Sequence, residues 1–315
     1  MSKKRERIIL STMKDRDIGP LFKHLWQEPP KILYHYTGVD VLEKLTNPES
    51  GKGKLWATDT RYLNDRTELI EARRFITELL IKRTSKNASG RKKVLSDLKQ
   101  IEHRNKGDEV FVTSFSSRGD SLPQWRAYCS KGSGVAIGFR SSSICDALLE
   151  SGGAVIRSDD DDDGVASSRP TRCVYTNKEK KDLVSEQMEG YLSIALGTHP
   201  RLTPARSLIF LSTLLDMCSP LFKHESFREE EEWRVVVVSR HPNFPKRHFR
   251  PGLSTLVPYI TLDVANKTPA RYISRVVIGP TPHEQLAKLS IDKLLFTRGL
   301  ISAKVDNSEI PYRSW

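Results

Sequence analysis

Length, composition and charge limit what this chain can be. Its 315 residues are 37% hydrophobic and 29% charged, which is typical of a globular protein and excludes a disordered or fibrous one. Its apolar runs fall short of the roughly 20 residues that span a bilayer, and the first residues lack a secretory signal, so we expect a cytoplasmic protein without a membrane segment. The +12 net charge favours a polyanionic partner, such as nucleic acid or a nucleotide.

The cysteines show no pattern that indicates a cofactor. They lie far apart in the sequence, without a C-x-x-C pair or a Cys/His group at zinc-ligand spacing: Cys129, Cys145, Cys173 and Cys218. We expect reduced, mostly structural thiols and no metal.

The first part of the chain predicts a lead-in arm and the start of a folded domain. Residues 1–30 form a basic N-terminal arm that ends at two prolines, and residues 31–315 are predicted to form a single α+β domain. The sequence "LYHYT" indicates a strand with His35 at its centre, and "GVDVLEKL" indicates a short helix after it. A short apolar piece, a polar turn and two amphipathic helices are predicted before Gly107.

The middle of the chain mixes strands, loops and helices. The segments "VFVTSFS" and "VAIGF" predict strands that flank an irregular loop, "RGDSLPQWRAYCSKGSG". Residues 151–170 include five consecutive aspartates and predict a flexible, solvated acidic loop. The segment "RCVYT" predicts a further strand, and "KEKKDLVSEQMEGYLSIALG" and "RSLIFLSTLLDMCSPLFKHESF" predict two helices.

The last part of the chain contains a run of four glutamates before a buried strand. In "EEEEWRVVVVS" the valines favour a strand, and if its register extends backward, Glu230 and Glu232 point to one face while Glu229 and Glu231 point to the other. A strand at "YISRVVIGP", an amphipathic helix and a final strand in "ISAKVDN" follow.

Four polar clusters at the ends of predicted strands are candidates for chemistry. They are His35-Tyr36-Thr37, the turn "TDTRYLND", "TSFS" with "DSLPQWRAY" behind it, and "EEEEWR". Each also has a structural interpretation: a hydrogen-bonded buried histidine, an edge strand, a packed Trp/Tyr pair or a solvated turn. In the functional interpretation, Trp125 and Tyr128 stack on a flat ring, Arg126 binds phosphate, and two carboxylates two residues apart divide the work of catalysis. The sequence contains no P-loop, no dinucleotide-binding glycine motif after a strand, no nucleophile elbow and no H-E-x-x-H.

Taken together and in order, these clusters resemble a bacterial family known as domain of unknown function 2971. The resemblance rests on "LYHYT", "LWATDTRYLNDRTEL", "FVTSFSSRGDSLPQWRAYCSKGSGVAIGF", "FREEEEWR", "RVVIGP" and "SEIPYR". It covers nearly the whole chain from about residue 31 but implies little chemistry.

The order of three strands is also similar to that of ADP-ribosyltransferases: His-Tyr-Thr, then a Ser/Thr-rich strand, then a strand entered through a Glu-x-Glu pair. This resemblance implies a split mixed β-core of ADP-ribosyltransferase type with helical insertions, and NAD as a substrate. It implies that His35, Tyr36 and Thr37 bind ribose hydroxyls and that Ser114 and Ser116 shape the nicotinamide pocket. The ring would stack on Tyr62, Trp125 or Tyr128, and Arg126 would bind the diphosphate. Glu232 or Glu230 would act in catalysis with His35, without a metal.

The leading hypothesis from the sequence is therefore an enzyme that uses NAD to modify a macromolecule, with nucleic acid as a candidate acceptor, or that hydrolyses NAD. A bacterial toxin or phage-defence effector, with or without an inhibitory partner, is the role expected for it. One alternative is a non-catalytic nucleic-acid-binding effector. Another is a metal-dependent nuclease or phosphodiesterase that uses Asp59, Asp65, Asp120 and the glutamates. The acceptor and the oligomeric state stay open.

Overall fold

The computed structural model describes residues 28–49, 52–63, 66–104, 109–128, 134–150, 165–200, 202–239, 245–265 and 269–311. Most of the predicted N-terminal arm (1–30) and of the predicted acidic loop (151–170) lies outside these residues, as do Asp65 and Cys129.

The described residues form a mixed α+β structure built on one large sheet of eleven strands. The strands are β1 (Ile32–Gly38), β2 (Lys54–Asp59), β3 (Glu109–Ser116), β4 (Gly134–Arg140), β5 (Val165–Ser167), β6 (Thr171–Arg172), β7 (Glu232–Ser239), β8 (His248–Pro251), β9 (Leu256–Asp263), β10 (Ile273–Ile278) and β11 (Lys304–Asn307). Along the sheet the order is β11-β10-β4-β1-β3-β2-β9-β8. Outside this order, β7 pairs with β3, and β5 and β6 pair with β7. The β10–β11 pair is parallel and the other pairs are antiparallel. The predicted α+β class is confirmed at this level.

The helices of the described residues are α1 (Val39–Thr46), α2 (Arg66–Arg83), α3 (Ala88–Arg104), α4 (Leu122–Tyr128), α5 (Ser141–Glu150), α6 (Asn177–Ala195), α7 (Ser207–Cys218) and α8 (Glu284–Thr297). Helix α6 begins with a reciprocal cap, in which Thr176 and Glu179 each bond the other's backbone N–H. No helix in this part of the chain is long and apolar enough to cross a membrane.

The sheet divides at β3. Strand β7 pairs with the whole of one edge of β3, from Glu109 to Ser116. The other edge is shared, because β2 pairs near Phe111 and Val112 while β1 pairs at Ser116. The two arms of the sheet therefore diverge from one strand, and polar residues after Ser116 emerge at the junction.

Two large hydrophobic cores lie on opposite faces of β3 and β7. Phe111, Phe115 and Trp233 belong to a core shared with β1, β2, β4, β9, β10 and helices α1, α5 and α8. Val112 and Val236 belong to the other core, under helices α2, α3, α6 and α7. Side chains alternate along β3 and β7, so each of these strands contributes residues to both cores.

Three predicted elements differ from the structure. The strand predicted at "RCVYT" does not extend beyond Arg172, the last residue of β6. The segment "LPQWRAY", predicted to be irregular, is helix α4, because Pro123 is tolerated in the first turn of a helix and Trp125 is buried against Tyr36. The helix predicted to continue through "CSPLFKHESF" ends at Cys218, since Pro220 cannot continue it, and short 3₁₀ turns follow.

The β8–β9 hairpin was absent from the sequence prediction. Its segment, "HFRPGLSTLVPYITLD", contains two prolines and a glycine, which are usual signals of irregular structure. Pro251 and Pro258 are accommodated at the edge of the sheet.

Candidate functional site

His35 lies in the middle of β1, as predicted, and its ring is held in place. Its Nδ1 donates to the backbone carbonyl of Ser114 on β3 at 2.9 Å. Its ring meets that of Phe115 edge to face, with 6.1 Å between centroids. Burial lowers the pKa of His35 from 6.5, and the hydrogen bond to Ser114 only partly opposes this, so the imidazole is neutral at pH 7.

The structure does not bring His35 and Glu232 to the same face of the sheet. Residues that lie opposite each other in antiparallel strands point the same way. Tyr34 is opposite Ser116, and Ser116 is opposite Glu232, so these three side chains share a face. His35 follows Tyr34 and points to the other face, with Phe115.

The strand register does not extend back through the glutamates, because β7 begins at Glu232 and Glu230 ends a 3₁₀ turn, yet Glu230 and Glu232 both bind one buried lysine. Lys223 Nζ lies 2.6 Å from Glu230 Oε2 and 2.7 Å from Glu232 Oε2. Arg234 Nε donates to Glu232 Oε1 at 2.6 Å, and its Nη1 donates to the carbonyl of Pro220 at 2.6 Å. We call these four charged residues the buried charge cluster. Its geometry is that of a structural ion network closed to solvent.

The electrostatics of the cluster favour the charged forms of Glu232 and Lys223. Burial alone would raise the pKa of Glu232, but Arg234 and Lys223 outweigh it and lower this pKa to about 2. Burial likewise lowers the pKa of Lys223, and Glu232 and Glu230 more than reverse this, so the net change is upward. Glu232 and Lys223 therefore stay ionised across the physiological pH range.

The serines predicted to shape a pocket are parts of the sheet. Ser114 is paired with Arg234, and its carbonyl accepts from His35. Ser116 is buried, and its Oγ donates to the carbonyl of Glu230 at 2.8 Å. The Ser116 hydroxyl therefore joins the end of β3 to the glutamate run.

The aromatic residues predicted to stack on a ligand are dispersed. Trp125 is buried, meets Tyr36 edge to face, and donates from Nε1 to Asp120 Oδ1 at 2.6 Å. Tyr62 is 40% exposed in the turn after β2, and Tyr128 is 51% exposed at the end of α4. Arg126 is exposed on α4, and Thr37 is partly exposed near the end of β1.

A pocket of about 800 Å³ opens where β3 ends and β7 begins. It is lined by residues from five segments: Pro30, Ser117, Arg118, Asp120, Ser121, Leu122, Pro123, Arg172, Tyr175, Arg228, Glu229, Glu231, Trp233 and Ile310. None of the residues predicted to bind NAD or to act on it is among these lining residues, whereas Asp120, Glu229 and Glu231, which belong to the metal-dependent alternative, are. The catalytic and binding roles assigned to the predicted residues stay predictions.

Glu231 is the unusual residue of this pocket. Its backbone adopts the left-handed conformation, with φ 42° and ψ 49°, and it is the only non-glycine residue with positive φ in the described ranges. Ser117 Oγ donates to its Oε2 at 2.5 Å, and Arg118 Nε donates to its Oε1 at 2.8 Å. Such strained residues are concentrated at functional sites.

Three arginines line the pocket beside three carboxylates, Asp120, Glu229 and Glu231. Arg118 pairs with Glu231, and Arg172 pairs with Glu179 at 2.7 Å. Arg228 lies 3.7 Å from the same Glu179 carboxylate. Burial raises the pKa of Glu179, but hydrogen bonds from Thr176, Arg172 and Tyr175 outweigh it and bring the pKa to about 2. Glu179 therefore holds two of the arginines at the rim.

The pocket combines residues that sequence reasoning did not select. Glu231 lies between the predicted Glu230 and Glu232, and Arg118 lies two residues after the predicted Ser116, and the run of four glutamates was the one signal that could have identified Glu231. Arg228 stands in "FREEEEWR" and Arg172 in "RCVYT", but neither segment indicates that the two arginines meet, so only the fold reveals it.

The described residues contain no group of three or more metal-binding side chains. Asp59 is buried and binds Arg61, whereas Asp120 binds Trp125, Ser308 and Glu309. Asp59 is paired with Phe111 near the start of β3, and Asp120 follows the end of that strand. The two described aspartates of the metal-dependent alternative, Asp59 and Asp120, thus lie at opposite ends of β3.

The three described cysteines, Cys145, Cys173 and Cys218, are free thiols. Burial raises the pKa of Cys145 to about 11 and that of Cys218 to about 12, so these thiols are protonated and unreactive.

Comparison with known proteins supports one of the two resemblances. Residues 124–235 match the model of a family described as "Protein of unknown function (DUF2971)". The matched segment runs from α4 through the valine strand β7, and so includes Arg172, Tyr175, Arg228, Glu231 and Trp233 of the pocket. No curated protein and no solved structure matches the chain.

Proposed function

We propose that the pocket at the β3–β7 junction binds NAD and that the protein is an ADP-ribosyltransferase-like enzyme with a split β-core of that type. A single observation carries the proposal: one pocket combines three arginines, a strained glutamate and two aromatic side chains. Its volume of about 800 Å³ suits a dinucleotide, since ligand pockets commonly measure about 300–1,000 Å³.

The arginines suit the diphosphate of the ligand. A guanidinium binds phosphate oxygens through two parallel N–H donors, and Arg118, Arg172 and Arg228 all reach the pocket. Trp233 and Tyr175 also line the pocket, and since they are 7% and 2% exposed, each offers a small apolar surface to a ligand.

Glu231 is the carboxylate best placed for chemistry. In the free protein it is held by Arg118 and Ser117. A diphosphate that binds Arg118 releases the carboxylate, which then accepts a hydrogen bond from a ribose hydroxyl. When the bond between C1′ and the nicotinamide nitrogen breaks, the electron pair leaves with nicotinamide, and the negative Glu231 stabilises the developing positive charge. A nucleophile of the acceptor, or water, then bonds to C1′ and loses its proton.

The decisive experiment uses NAD labelled on its adenylate and follows label on protein, RNA, DNA and free ADP-ribose. We expect consumption by the parent chain and a loss of at least about a hundredfold in Glu231→Gln, which keeps the size of the side chain and removes its charge. Glu284→Gln, an exposed glutamate at the start of α8, is the matched control and should act like the parent.

Two further variants separate this proposal from the residue roles that the resemblance implies. Arg118→Gln should weaken NAD binding without unfolding the chain, because Arg118 is 58% exposed. His35→Ala tests the predicted ribose ligand. If Glu231→Gln and Arg118→Gln both consume NAD like the parent while His35→Ala does not, the pocket assignment is wrong. If the parent neither binds nor consumes NAD, the proposed function is wrong.

A further inference from the structure

The outer face of strands β2, β9 and β8 carries a row of aromatic rings. Trp56 of β2 and Tyr259 of β9 lie with ring centroids 4.4 Å apart and planes tilted by 30°. His248 of β8 stacks on the other side of the pair, at 5.4 Å from Tyr259 and with planes 27° apart. We call Trp56, Tyr259 and His248 the aromatic row.

The aromatic row is accessible from outside, because Trp56 is exposed and Tyr259 and His248 are partly exposed. Thr58 is opposite Val112, so the side of β2 that carries Trp56 is continuous with the face of β3 covered by helices. Trp56 itself is 44% exposed. The reverse side of β9 is buried in the central core through Ile260 and Leu262. The strands are therefore anchored from behind, and the row is presented on a rigid support.

Basic groups flank the row. The guanidinium of Arg250 lies 6.0 Å from the centre of the Trp56 ring, and its Nε is buried without a hydrogen-bond partner among the described residues. Lys54 follows the same alternation as Trp56 and is exposed. One carboxylate, Asp263, lies opposite Lys54, and its Oδ1 accepts from the backbone of Ala265. Arg250 is partly exposed, so its positive charge is available to an anionic ligand.

We propose that this face binds single-stranded nucleic acid. Unpaired bases stack on aromatic side chains displayed by a sheet, while arginine and lysine contact the phosphates. The +12 charge of the chain attracts such a polyanion. A duplex keeps its bases stacked on one another and cannot extend the row, so the surface discriminates between single and double strands. The proposal does not depend on NAD chemistry in the pocket.

The test is fluorescence anisotropy of labelled single-stranded RNA and DNA of about 16 nucleotides, titrated with the full chain at several salt concentrations. We expect salt-dependent binding that Trp56→Ala weakens about tenfold or more and Trp56→Phe largely retains. Arg250→Gln should weaken it too. The matched controls are Phe296→Ala, another exposed aromatic, and Lys288→Gln, which removes one charge elsewhere; both lie on α8 and should bind like the parent.

Three outcomes would overturn the proposal. The first is no binding of single strands by the parent chain at low salt. The second is equal binding by Trp56→Ala, Arg250→Gln and the two controls, because the net positive charge of the chain would then explain the binding without the aromatic row. The third is a parent dimer that Trp56→Ala dissociates while its affinity for oligonucleotides is unchanged, which would make the face a contact between copies. Trp56→Phe and Arg250→Gln keep the test decisive if Trp56→Ala does not fold.

Glu231→Gln should bind oligonucleotides like the parent, so failure of this surface and failure of the pocket are distinguishable.

Discussion

Replacing Glu232 by glutamine should lower the free energy of unfolding of the protein. This substitution tests whether the buried charge cluster is structural. Glu232 is 4% exposed and neutralises both Lys223 and Arg234. In Glu232→Gln, Lys223 keeps Glu230, but Arg234 loses its carboxylate while it stays buried. Removing one partner of a buried ion pair costs about 3–5 kcal/mol, since an uncompensated charge remains.

The pKa of Glu232 gives an independent magnitude and a pH dependence. A fall from 4.5 in the unfolded chain to about 2 in the folded one corresponds to about 3 kcal/mol of stability. Because the folded pKa is the lower one, this stability is fully present above about pH 5 and is lost as the pH falls towards 2. The difference between parent and variant should therefore be largest near neutral pH and shrink in acid.

The assay is urea unfolding of parent, Glu232→Gln and the exposed control Glu284→Gln, at pH values from neutral to acid. We expect the free energy of unfolding to fall by about 3 kcal/mol in Glu232→Gln at pH 7 and by less than about 0.5 kcal/mol in the control. A loss below about 1 kcal/mol in Glu232→Gln, or a loss that does not change with pH, would refute the reasoning.

Two further predictions concern single contacts. Glu231→Gly should raise the free energy of unfolding by about 0.5 kcal/mol, measured by thermal denaturation. Glycine adopts φ 42° without strain, and the lost pairs with Arg118 and Ser117 are partly exposed and therefore weak. A decrease of more than about 1 kcal/mol would contradict this prediction. Asp120→Ala should lower the free energy of unfolding by at least about 2 kcal/mol, since Asp120 accepts hydrogen bonds from Trp125, Ser308 and Glu309. It should also increase cleavage near Ser308 in limited proteolysis. Unchanged cleavage would show that other contacts hold that segment.

The sequence predicted the strands better than the site. Strands β1, β3, β4 and β7 were identified because aromatic and β-branched residues cluster in them. The strand alternation predicted for the glutamates does not occur, because Glu230 lies in a 3₁₀ turn, Glu231 is left-handed and β7 begins at Glu232. What the sequence could not indicate is which pair faces solvent, because that depends on Lys223 and Arg234, which approach the glutamates only in the folded chain.

The pocket and the aromatic row were missed for a related reason. Arg118, Arg172 and Arg228 belong to separate segments, and their convergence depends on the pairing of β3, β6 and β7. The aromatic row requires the β8–β9 hairpin, whose strands were not predicted because they contain prolines. Long-range pairing, which local pattern does not encode, creates both surfaces.

The buried charge cluster also explains why Glu231 is strained. Its two neighbours, Glu230 and Glu232, are bound to the same Lys223 Nζ, so the chain between them must turn within one residue. The backbone is fixed on both sides as well, since the Glu230 carbonyl accepts from Ser116 and the Glu232 N–H donates to Tyr175. A left-handed residue persists only where its surroundings impose it, and here the surroundings are a buried ion network. The glutamates that the sequence marked for catalysis therefore act in the fold by directing the carboxylate between them into the pocket.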